Sequence, residues 1–571
     1  MSNLNYIVDS IKNKNLEQAL ELCDLYENEK NKHIVLNFRG VIFHLKNNLD
    51  LAEINFINST KINDKFEDPL KNLCVLYLKK KLFKKFLFSA KKLIHIDESS
   101  DQYNYQLAFA FELNDNLTEA LKYYKICTNI DHKNKKKALN NIGSIYLKIR
   151  KPKIALNYFL KAIKLGEDII IVNNVFKCYI KLRDPNKASV YFEKAKKIDK
   201  NYIEFLFNKA EYFILINQIE NAIKILEDNK DKSKFLITLV RLLFNIGQNE
   251  YGEKILNQIK EENKKNPAFF NYLSLRLLSE GNFNEGWKYY ESRNEKKINH
   301  FKDIKEWTGE KISTKNIVVF SEQGLGDCIQ FSKYLTPLSK IANNVTFVVQ
   351  DNLKNLFKTE IKNLSIEIIE SCKNEKFDFK ITLGSLIKFF FKEKIKNNEN
   401  LIQSNNENDI KWKNKISKSK LNIGLVWSGS FSGTNEPYRS IPLTSLKKIF
   451  SLDINFYCLQ NEIWDRDLEY FKSSNLIDYS KYNLDEIASI IKNLDLVITV
   501  DTSILHLAAS LNVETWALIN LNHDWRWGQF NKFNPYGSLN IFKQKKFNEW
   551  GDVEKEVYEK LKKKIEFKLN S

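Results

Sequence analysis

The chain has 571 residues, 43% of them hydrophobic and 13% aromatic, which excludes a disordered polymer and predicts two to four domains with sizeable cores. Its formal net charge is +19, but lysine far outnumbers arginine and no motif that reads RNA or DNA accompanies the basic runs, so we expect no nucleic-acid partner. Its 7 cysteines are scattered without a C-x-x-C pair, and the sequence has no signal-peptide core and no apolar run of about 18 residues, so we expect a cytoplasmic protein without a transmembrane segment.

The first half of the chain repeats itself. Residues 139–162 read LNNIGSIYLKIRKPKIALNYFLKA, which has small and aromatic residues at the spacing of a tetratricopeptide repeat, a pair of antiparallel helices. The position of Ala155 recurs at steps of 33 to 35 residues and, after one step of 30, at Gly252 and Gly286. The regular positions are Ala19, Ala52, Phe86, Ala120, Ala155, Ala188 and Ala222. This pattern predicts an α-solenoid with a concave groove over residues 1–298.

A second position within the repeat often carries a carboxamide. It lies on the first helix of each pair, which faces the groove. The amides at this position are Asn5, Asn72, Gln106, Asn141, Asn174 and Asn208, and the other repeats carry Phe38, Thr238 and Tyr272 there. This series resembles the asparagine ladder of the O-linked N-acetylglucosamine transferases, in which amides hold an extended peptide. An amide suits that task because it donates to a peptide carbonyl and accepts from a peptide N–H. The alternative is a row of solvated polar residues in an asparagine-rich chain.

From about residue 305 the periodicity changes to short apolar strands that alternate with helical segments. Such alternation predicts parallel sheets covered by helices. A polar connection at residues 404–420, with at most a short helix, separates two sets of strands. They are expected at residues 316–321, 345–350, 365–371 and 377–383, and at residues 421–430, 454–460, 495–501, 513–521 and 539–544. We predict two Rossmann-like lobes, residues 299–415 (including the connector from the solenoid) and 416–571 (including a closing helix), with a ligand cleft at the carboxyl ends of their strands.

The stretch SEQGLGD, residues 321–327, follows the first of these strands. Gly324 and Gly326 can turn the backbone sharply into a helix whose amides face the cleft. Asp327 stands at the start of that helix. On the residues alone, the carboxylate is either a helix cap, which the helix dipole favours, or a reactive group at the cleft. The stretch is neither a G-x-G-x-x-G fingerprint nor a P-loop.

A serine- and glycine-rich loop follows the first strand of the second set. Ser428, Gly429 and Ser430 leave this strand and can offer backbone and hydroxyl donors to a phosphate. Arg439 lies further along, before the next helix, and its guanidinium suits a diphosphate. The alternative interpretation of this loop is an ordinary turn.

A second polar strand end follows DLVITVD. Asp501, Thr502 and Ser503 form a helix start whose amides and hydroxyls can bind an anion. His506 lies one turn later, on the face shared with Thr502 and Ser503. The alternative is a capped helix with a histidine buried in the core.

Together and in this order, SEQGLGD, the loop with Ser428, DTSILHLAAS and HDWRWG (residues 523–528) resemble the ADP-heptose:lipopolysaccharide heptosyltransferases of glycosyltransferase family 9. The chain is similar, more closely, to bacterial proteins that fuse tetratricopeptide repeats to such a domain. The resemblance covers roughly residues 305–545 and, with the repeats, nearly the whole chain. It implies a GT-B fold, in which an acceptor lobe precedes a nucleotide-sugar lobe.

The resemblance also implies roles for individual residues. Asp327 matches the catalytic carboxylate that takes the proton of the acceptor hydroxyl, and Arg439 stands where the heptosyltransferases carry a lysine that neutralises the leaving diphosphate. Donor binding is implied for Asp501, Thr502, Ser503 and His506 and, more weakly, for Gln460. Ser503 replaces a glycine of the family and Arg439 a lysine, so neither heptose nor ADP is carried over.

The expected function is that of an inverting, metal-independent glycosyltransferase with a nucleotide-diphosphate sugar as donor and no cofactor. The repeats would recruit a protein or glycan acceptor, and a peripheral membrane contact stays open. We expect no metal site, because the D-x-D of Asp465 and Asp467 falls on a predicted surface helix. The alternatives are an inactive repeat scaffold and another nucleotide-dependent enzyme, such as an epimerase.

Overall fold

The computed structural model describes residues 2–129, 134–262, 267–295, 301, 303–372, 375–391, 401–417, 419–429, 439–528, 536–547 and 549–570. The chain divides into two compact units, Met1–Tyr212 and Phe213–Ser571. The first unit is helical, and the second contains further helices followed by two parallel sheets. Among the described residues, no helix is long and apolar enough to cross a membrane.

Helices in consecutive pairs form the N-terminal half. Within the described residues they are α1 Ser2–Lys12, α2 Leu16–Tyr26, α3 Lys32–Leu45, α4 Leu49–Ile62, α5 Glu67–Lys79, α6 Phe83–Ile96, α7 Asp101–Leu113, α8 Leu117–Asn129, α9 Lys135–Lys148, α10 Pro152–Ile163, α11 Ile169–Lys181, α12 Pro185–Ile198, α13 Ile203–Leu215, α14 Ile219–Asp228, α15 Ser233–Asn245, α16 Asn249–Glu262, α17 Pro267–Glu280 and α18 Phe283–Tyr290. The predicted helical solenoid is therefore confirmed. Helices after Tyr212 belong to the second unit, and the proposed domain boundaries stay predictions.

The recurring small residues lie where the two helices of a pair meet. Ala19, Ala52 and Ala155 are completely buried. A Cβ atom on Gly143 in α9 would lie 2.6 Å from the Phe159 ring of α10, well inside van der Waals contact. Six of the seven regular positions carry alanine, which lets the paired helices approach closely, and Phe86 is the exception.

The turns inside the pairs repeat with the same spacing. A residue with positive φ follows the first helix of each pair, in the left-handed conformation that commonly ends a helix. These residues are Lys14, Asn47, Lys81, Asp115, Arg150, Arg183, Asn217, Gly247 and Gly281. Their steps match those of the buried small residues, including the single short step. The backbone thus confirms the predicted repeat phase independently of side-chain packing.

The first sheet has five parallel strands in the order β1-β5-β2-β3-β4. They are β1 Lys305–Glu306, β2 Asn316–Phe320, β3 Asn344–Val349, β4 Leu364–Ile368 and β5 Phe379–Thr382. The helices α19 Leu325–Phe331 and α20 Leu335–Ser339 connect β2 to β3, and α21 Leu383–Phe390 follows β5. The four strands predicted for this region are confirmed, and β1 was not predicted because two residues carry no periodic pattern.

The second sheet has six parallel strands in the order β11-β10-β9-β6-β7-β8. They are β6 Leu421–Val426, β7 Ile454–Cys458, β8 Ile477–Asp478, β9 Leu496–Val500, β10 Thr515–Ile519 and β11 Leu539–Lys543. The remaining helices are α22 Asn406–Lys413, before this sheet, and α23 Asp465–Ser473, α24 Leu484–Lys492, α25 Ser503–Ser510, α26 Trp525–Gly528 and α27 Gly551–Asn570. All five predicted strands are present.

The central strands of the second sheet are buried on both faces. Every residue of β6, β9 and β10 is buried, as expected for a parallel sheet covered by helices. The closing helix α27 contributes Val553, Val557 and Leu561 to the core on one face. The prediction that the last segment docks on the α/β region is therefore confirmed.

Candidate functional site

Each sheet has a point at which the direction of strand addition reverses. In the second sheet β6 lies between β7 and β9, and in the first sheet β2 lies between β3 and β5. Ligands of open parallel sheets bind beyond the carboxyl ends of the strands at such points. Ser428 and Asp501 follow β6 and β9, so the second crevice is lined by residues that the sequence analysis selected.

Helix α19 places Asp327 beside helix α25 of the second sheet. A Cβ atom on Gly326 would lie 2.8 Å from Cδ2 of His506 and 3.4 Å from Cα of Ser503, so only glycine allows this approach. Gly324 is the N-cap of α19 with φ −67°, a value that any residue can adopt. Neither Gly324 nor Gly326 has a positive φ, so the turn does not itself require glycine, whereas Gly326 is needed for close helix packing.

Asp327 binds Arg526, which lies on helix α26 in the region of the second sheet. Nη2 of Arg526 donates to Oδ1 of Asp327 at 2.7 Å. The Arg526 side chain is 8% exposed and that of Asp327 is 24% exposed, so the guanidinium lies beneath the carboxylate. Asp327 is the third residue of α19 and Gly324 is the cap, so the carboxylate is not the N-cap residue.

His506 is completely enclosed and neutral. Nη1 of Arg526 lies 3.3 Å from Nε2 of His506, and because a guanidinium only donates, Nε2 must accept. The ring proton is therefore on Nδ1, which lies 3.0 Å from the hydroxyl of Tyr536 and donates to it. Burial, with a smaller contribution from Arg526, lowers the pKa of His506 well below its usual value. Both ring nitrogens are engaged, so His506 holds Arg526 in place.

The candidate donor turn after β9 is held by side chains from elsewhere in the second sheet region. Nε1 of Trp527 donates to Oδ2 of Asp501 at 2.9 Å, and Nη1 of Arg439 donates to the Asp501 carbonyl at 2.7 Å. Thr502 is the N-cap of α25 but its hydroxyl pairs with that of Thr499 at 3.1 Å and makes no capping bond. The structure thus shows the buried histidine of the capped-helix alternative but no side-chain capping bond, and donor binding by this turn stays a prediction.

The loop after β6 is anchored by Gln460. Its Oε1 atom accepts from the backbone N–H groups of Trp427 and Ser428 at 3.1 and 3.0 Å. The backbone N–H of Gly429 donates to Ser440 at 3.2 Å. The Ser428 hydroxyl is buried and has no hydrogen-bond partner within the described part of the chain. Ser430 lies outside the described residues.

Carboxylates outnumber cations around Arg526. Burial lowers the pKa of Arg526. The nearby carboxylates of Asp524, Asp327 and Asp501 raise that pKa by more, so it lies above its usual value. Nε of Arg526 lies 2.9 Å from Oδ1 of Asp524. Burial raises the pKa of Asp524 to about 6. Arg526 stays charged throughout, so the cluster is a fixed cation surrounded by carboxylates.

The tryptophan-rich segment was the part of the site that sequence reasoning missed. HDWRWG contributed to the resemblance, but no role was assigned to Asp524, Arg526 or Trp527. The structure places Arg526 on Asp327 and Trp527 on Asp501, the two carboxylates that the sequence did select, and Asp524 on Arg526. An arginine and an aspartate among buried tryptophans were the available signal, since buried charges need partners.

The ladder positions lie in the first unit and mostly donate to the preceding repeat. Nδ2 of Asn72, Asn174 and Asn208 donates at 2.9 Å to Oδ1 of Asn37, Asn140 and Asn173, respectively. Asn141 donates to the hydroxyls of Tyr105 and Tyr124 at 3.1 and 2.9 Å. The buried Oε1 atom of Gln106 has no partner among the described residues. The amides thus connect successive repeats, and acceptor binding by this row stays a prediction.

The D-x-D pair lies only in part on the surface predicted for it, because Asp465 is exposed and Asp467 is buried. Asp467 is 1% exposed and accepts hydrogen bonds from Nε1 of Trp427 at 3.1 Å and from the backbone of Leu443 at 2.9 Å. Its carboxylate therefore connects α23 to the loop after β6. Within the ranges that the structure describes, no group of three or more His, Cys, Asp or Glu side chains could hold a metal ion.

Two family models match parts of the chain. Residues 460–555 match glycosyltransferase family 9 (heptosyltransferase), and residues 136–168 and 177–202 match the tetratricopeptide repeat. The first match contains Asp501, His506 and Arg526. It begins at residue 460, so Asp327 lies outside it. The chain therefore combines tetratricopeptide repeats with a glycosyltransferase family 9 domain.

Several solved structures are similar to part of the chain. The pilF protein of Pseudomonas aeruginosa is 13% identical, with a TM-score of 0.32 over 38% of this chain and 100% of that chain. A tetratricopeptide repeat protein from Parabacteroides merdae is 15% identical, with a TM-score of 0.34 over 43% of this chain and 98% of that chain. YrrB, described as a TPR protein with an unusual peptide-binding site, is 18% identical, with a TM-score of 0.27 over 32% and 96%. No match to a curated protein was found.

Proposed function

Because the chain combines tetratricopeptide repeats with a glycosyltransferase family 9 domain, we propose that it transfers a sugar from a nucleotide-diphosphate donor to an acceptor hydroxyl with inversion and without a metal. The two sheets would act as the two lobes of a GT-B enzyme. The observation that supports this most strongly is the contact between α19 and α25, which brings Asp327 next to the donor turn.

In the proposed reaction the donor diphosphate binds beyond the carboxyl ends of β6 and β9. Ser428 supports this placement, because its buried hydroxyl has no partner among the described residues and can donate to a phosphate oxygen. The backbone amides at the start of α25, with Thr502 and Ser503, offer further donors. Arg439, already bound to the Asp501 carbonyl, supplies the positive charge that offsets the leaving diphosphate.

Asp327 is the proposed general base. As the acceptor oxygen forms its bond to the anomeric carbon, its proton passes to the Asp327 carboxylate. The bond between that carbon and the diphosphate oxygen breaks, and its electron pair leaves with the diphosphate. Attack from the face opposite the leaving group inverts the anomeric centre. No metal takes part in this proposal, because Arg439 and the helix amides carry the leaving-group charge.

The proposed acceptor is a protein or peptide held by the repeats. The buried Oε1 of Gln106, which has no partner in the described part of the chain, supports this, since a peptide N–H could supply a donor. Asn72, Asn174 and Asn208 each use Nδ2 for a neighbouring repeat, so their carbonyl oxygens are the atoms proposed to accept from a peptide.

A donor panel tests this function without an identified acceptor. Purified protein is mixed with UDP-, ADP-, GDP- and dTDP-linked sugars. The melting midpoint is measured, together with the nucleoside diphosphate that is released when the sugar is transferred to water. One donor at 100 times its Kd should stabilise the protein by about 2.7 kcal/mol and be hydrolysed slowly. If no donor stabilises the protein or is hydrolysed, the transferase proposal fails.

One observation favours a second candidate, a repeat scaffold without turnover. The Asp327 carboxylate is already ion-paired with Arg526, so it is not a free base. A scaffold would keep this pair as a structural link and would bind a nucleotide sugar without hydrolysing it. Stabilisation by a donor without release of nucleoside diphosphate is the outcome that would identify the scaffold.

A further inference from the structure

We propose that Arg526 is a positioning residue that fixes the Asp327 carboxylate for proton abstraction, an inference that rests on the transferase function proposed above. Arg526 comes from α26 and Asp327 from α19, so their bond joins the second sheet region to the first. The bond is made by these two side chains, and His506 of α25 contacts the same guanidinium.

The bond leaves one oxygen of the base available. Arg526 uses Oδ1 of Asp327, and no hydrogen bond to Oδ2 is present among the described residues. The Asp327 side chain is also three times as exposed as that of Arg526, at 24% against 8%. Oδ2 is therefore the oxygen that can reach an acceptor hydroxyl, while Oδ1 holds the carboxylate in one orientation.

The guanidinium is itself held on several sides. Nη1 lies against Nε2 of His506, Nε lies 2.9 Å from Asp524, and the rings of Phe331 and Trp525 lie 5.6 and 5.5 Å from its carbon atom. A planar guanidinium fixed in this way orients a carboxylate better than a flexible ammonium group does. The arrangement resembles the supporting contacts that fix reactive groups in preorganised sites.

The last helices before the sheets hold the segment that carries Arg526. A Cβ atom on Gly528 would lie 2.4 Å from the carbonyl oxygen of Ser279 in α17, so α17 and α26 are in direct backbone contact. The ring of Trp525 meets that of Trp287 in α18 edge-to-face at 5.1 Å. Arg526 therefore projects from a segment that packs against both α17 and α18, and this packing holds its side chain beside Asp327.

The test is a comparison of Arg526→Lys with the parent, using the donor that the panel selects and water as acceptor. Lysine keeps the charge that offsets the surrounding carboxylates. It loses the planar guanidinium that contacts Asp327 through Nη2 and His506 through Nη1. A misplaced base can cost about 10²-fold in rate, so kcat should fall by about that factor while the donor KM and the melting midpoint stay at parent values. Arg526→Gln is the second variant, and it should lose more activity than Arg526→Lys.

A double variant separates positioning from a general structural effect. In an Asp327→Asn background the base is already absent, so adding Arg526→Lys should cause no further loss of turnover. A full additional loss, or a parent-like kcat in Arg526→Lys, overturns the positioning proposal. If Asp327→Asn itself turns over like the parent, the base assignment in the proposed function fails, and the present inference fails with it.

Discussion

Nη2 of Arg526 and Oδ1 of Asp327 lie 2.7 Å apart, although the two residues are separated by 199 positions in the chain. The pair links α19, which follows β2 of the first sheet, to the short helix α26, which precedes the last strand of the second sheet. In this structure the candidate base, the candidate donor turn and a tryptophan-rich segment thus form one polar cluster. The predictions below separate the catalytic, binding and structural parts of that cluster.

Gly326 should not tolerate a side chain. Gly326→Ala would place a Cβ atom 2.8 Å from the His506 ring, and such overpacking typically costs about 1–3 kcal/mol. Gly324→Ser is the matched control two residues away, because its new Cβ meets only the Asp327 carboxylate at 3.4 Å and serine is a favoured N-cap. Melting midpoints should fall for the first variant and hold for the second. Equal midpoints would mean that α19 and α25 do not need this close approach.

Arg439 should contribute to diphosphate affinity. Removing a charge-assisted hydrogen bond costs about 1.5–3 kcal/mol, so Arg439→Ala should weaken nucleoside-diphosphate binding about tenfold to a hundredfold. Arg439→Lys keeps the charge found in the heptosyltransferases and should lose less. Isothermal titration calorimetry with the selected nucleoside diphosphate provides the measurement. Unchanged affinity in Arg439→Ala would remove this residue from the donor site.

The amide ladder can be tested with pairs of variants that break the same hydrogen bond. Asn174→Ala and Asn140→Ala each remove the bond between these two residues, which is worth about 1 kcal/mol, but only the first empties the ladder position. Both should lower the melting midpoint similarly, whereas acceptor-peptide binding should weaken only in Asn174→Ala. Asn208→Ala and Asn173→Ala give a second pair. Equal peptide binding within each pair would make the amides purely structural.

The buried, neutral His506 should make the protein less stable in acid. Its pKa is lowered by burial and by Arg526, whereas unfolded histidine has a pKa of about 6.5, so below that pH only the unfolded state gains a proton. Stability from this residue is then lost as pH falls, by up to about 1.4 kcal/mol per pH unit. Asp501 and Tyr536 also face the ring, and both residues are unchanged in the His506→Gln variant that is compared with the parent below.

His506→Gln removes this titration. Melting midpoints measured from pH 7.5 to 5.5 should fall more steeply for the parent than for the variant. Asp524, whose pKa is raised to about 6 by burial, contributes with the opposite sign and occurs in both proteins. Parallel pH profiles would show that His506 is protonated in the folded state, contrary to its contact with Arg526.

Local sequence patterns predicted the elements well and their partners poorly. The repeat phase was readable because most helix pairs place a small residue such as Ala155 at the same contact. Nine strands were readable as apolar runs. Residues after strand ends, such as Asp501, were predictable because parallel strands deliver their carboxyl ends to one edge. Arg526 and Asp327 could not be paired from sequence, since nothing local specifies a contact across 199 residues.

Two side chains illustrate how burial changed the interpretation. Asp467 follows a polar pattern typical of a surface helix, yet it is buried because it binds the Trp427 indole. Gln460 was selected for nucleotide contact, and its amide oxygen instead accepts two backbone N–H groups of the loop after β6. In both cases the deciding interaction is a hydrogen bond to a residue more than 30 positions away.

The central claim is that Asp327 is a base, and turnover of Asp327→Asn tests it most directly. Asparagine keeps the size of the side chain but cannot take the proton, and loss of a general base typically lowers the rate about 10²–10⁴-fold. Asp465→Asn, the same change at an exposed helix start, is the control. The account predicts that release of nucleoside diphosphate collapses in Asp327→Asn, with donor affinity retained, and stays normal in Asp465→Asn. Parent-like turnover in Asp327→Asn would contradict it.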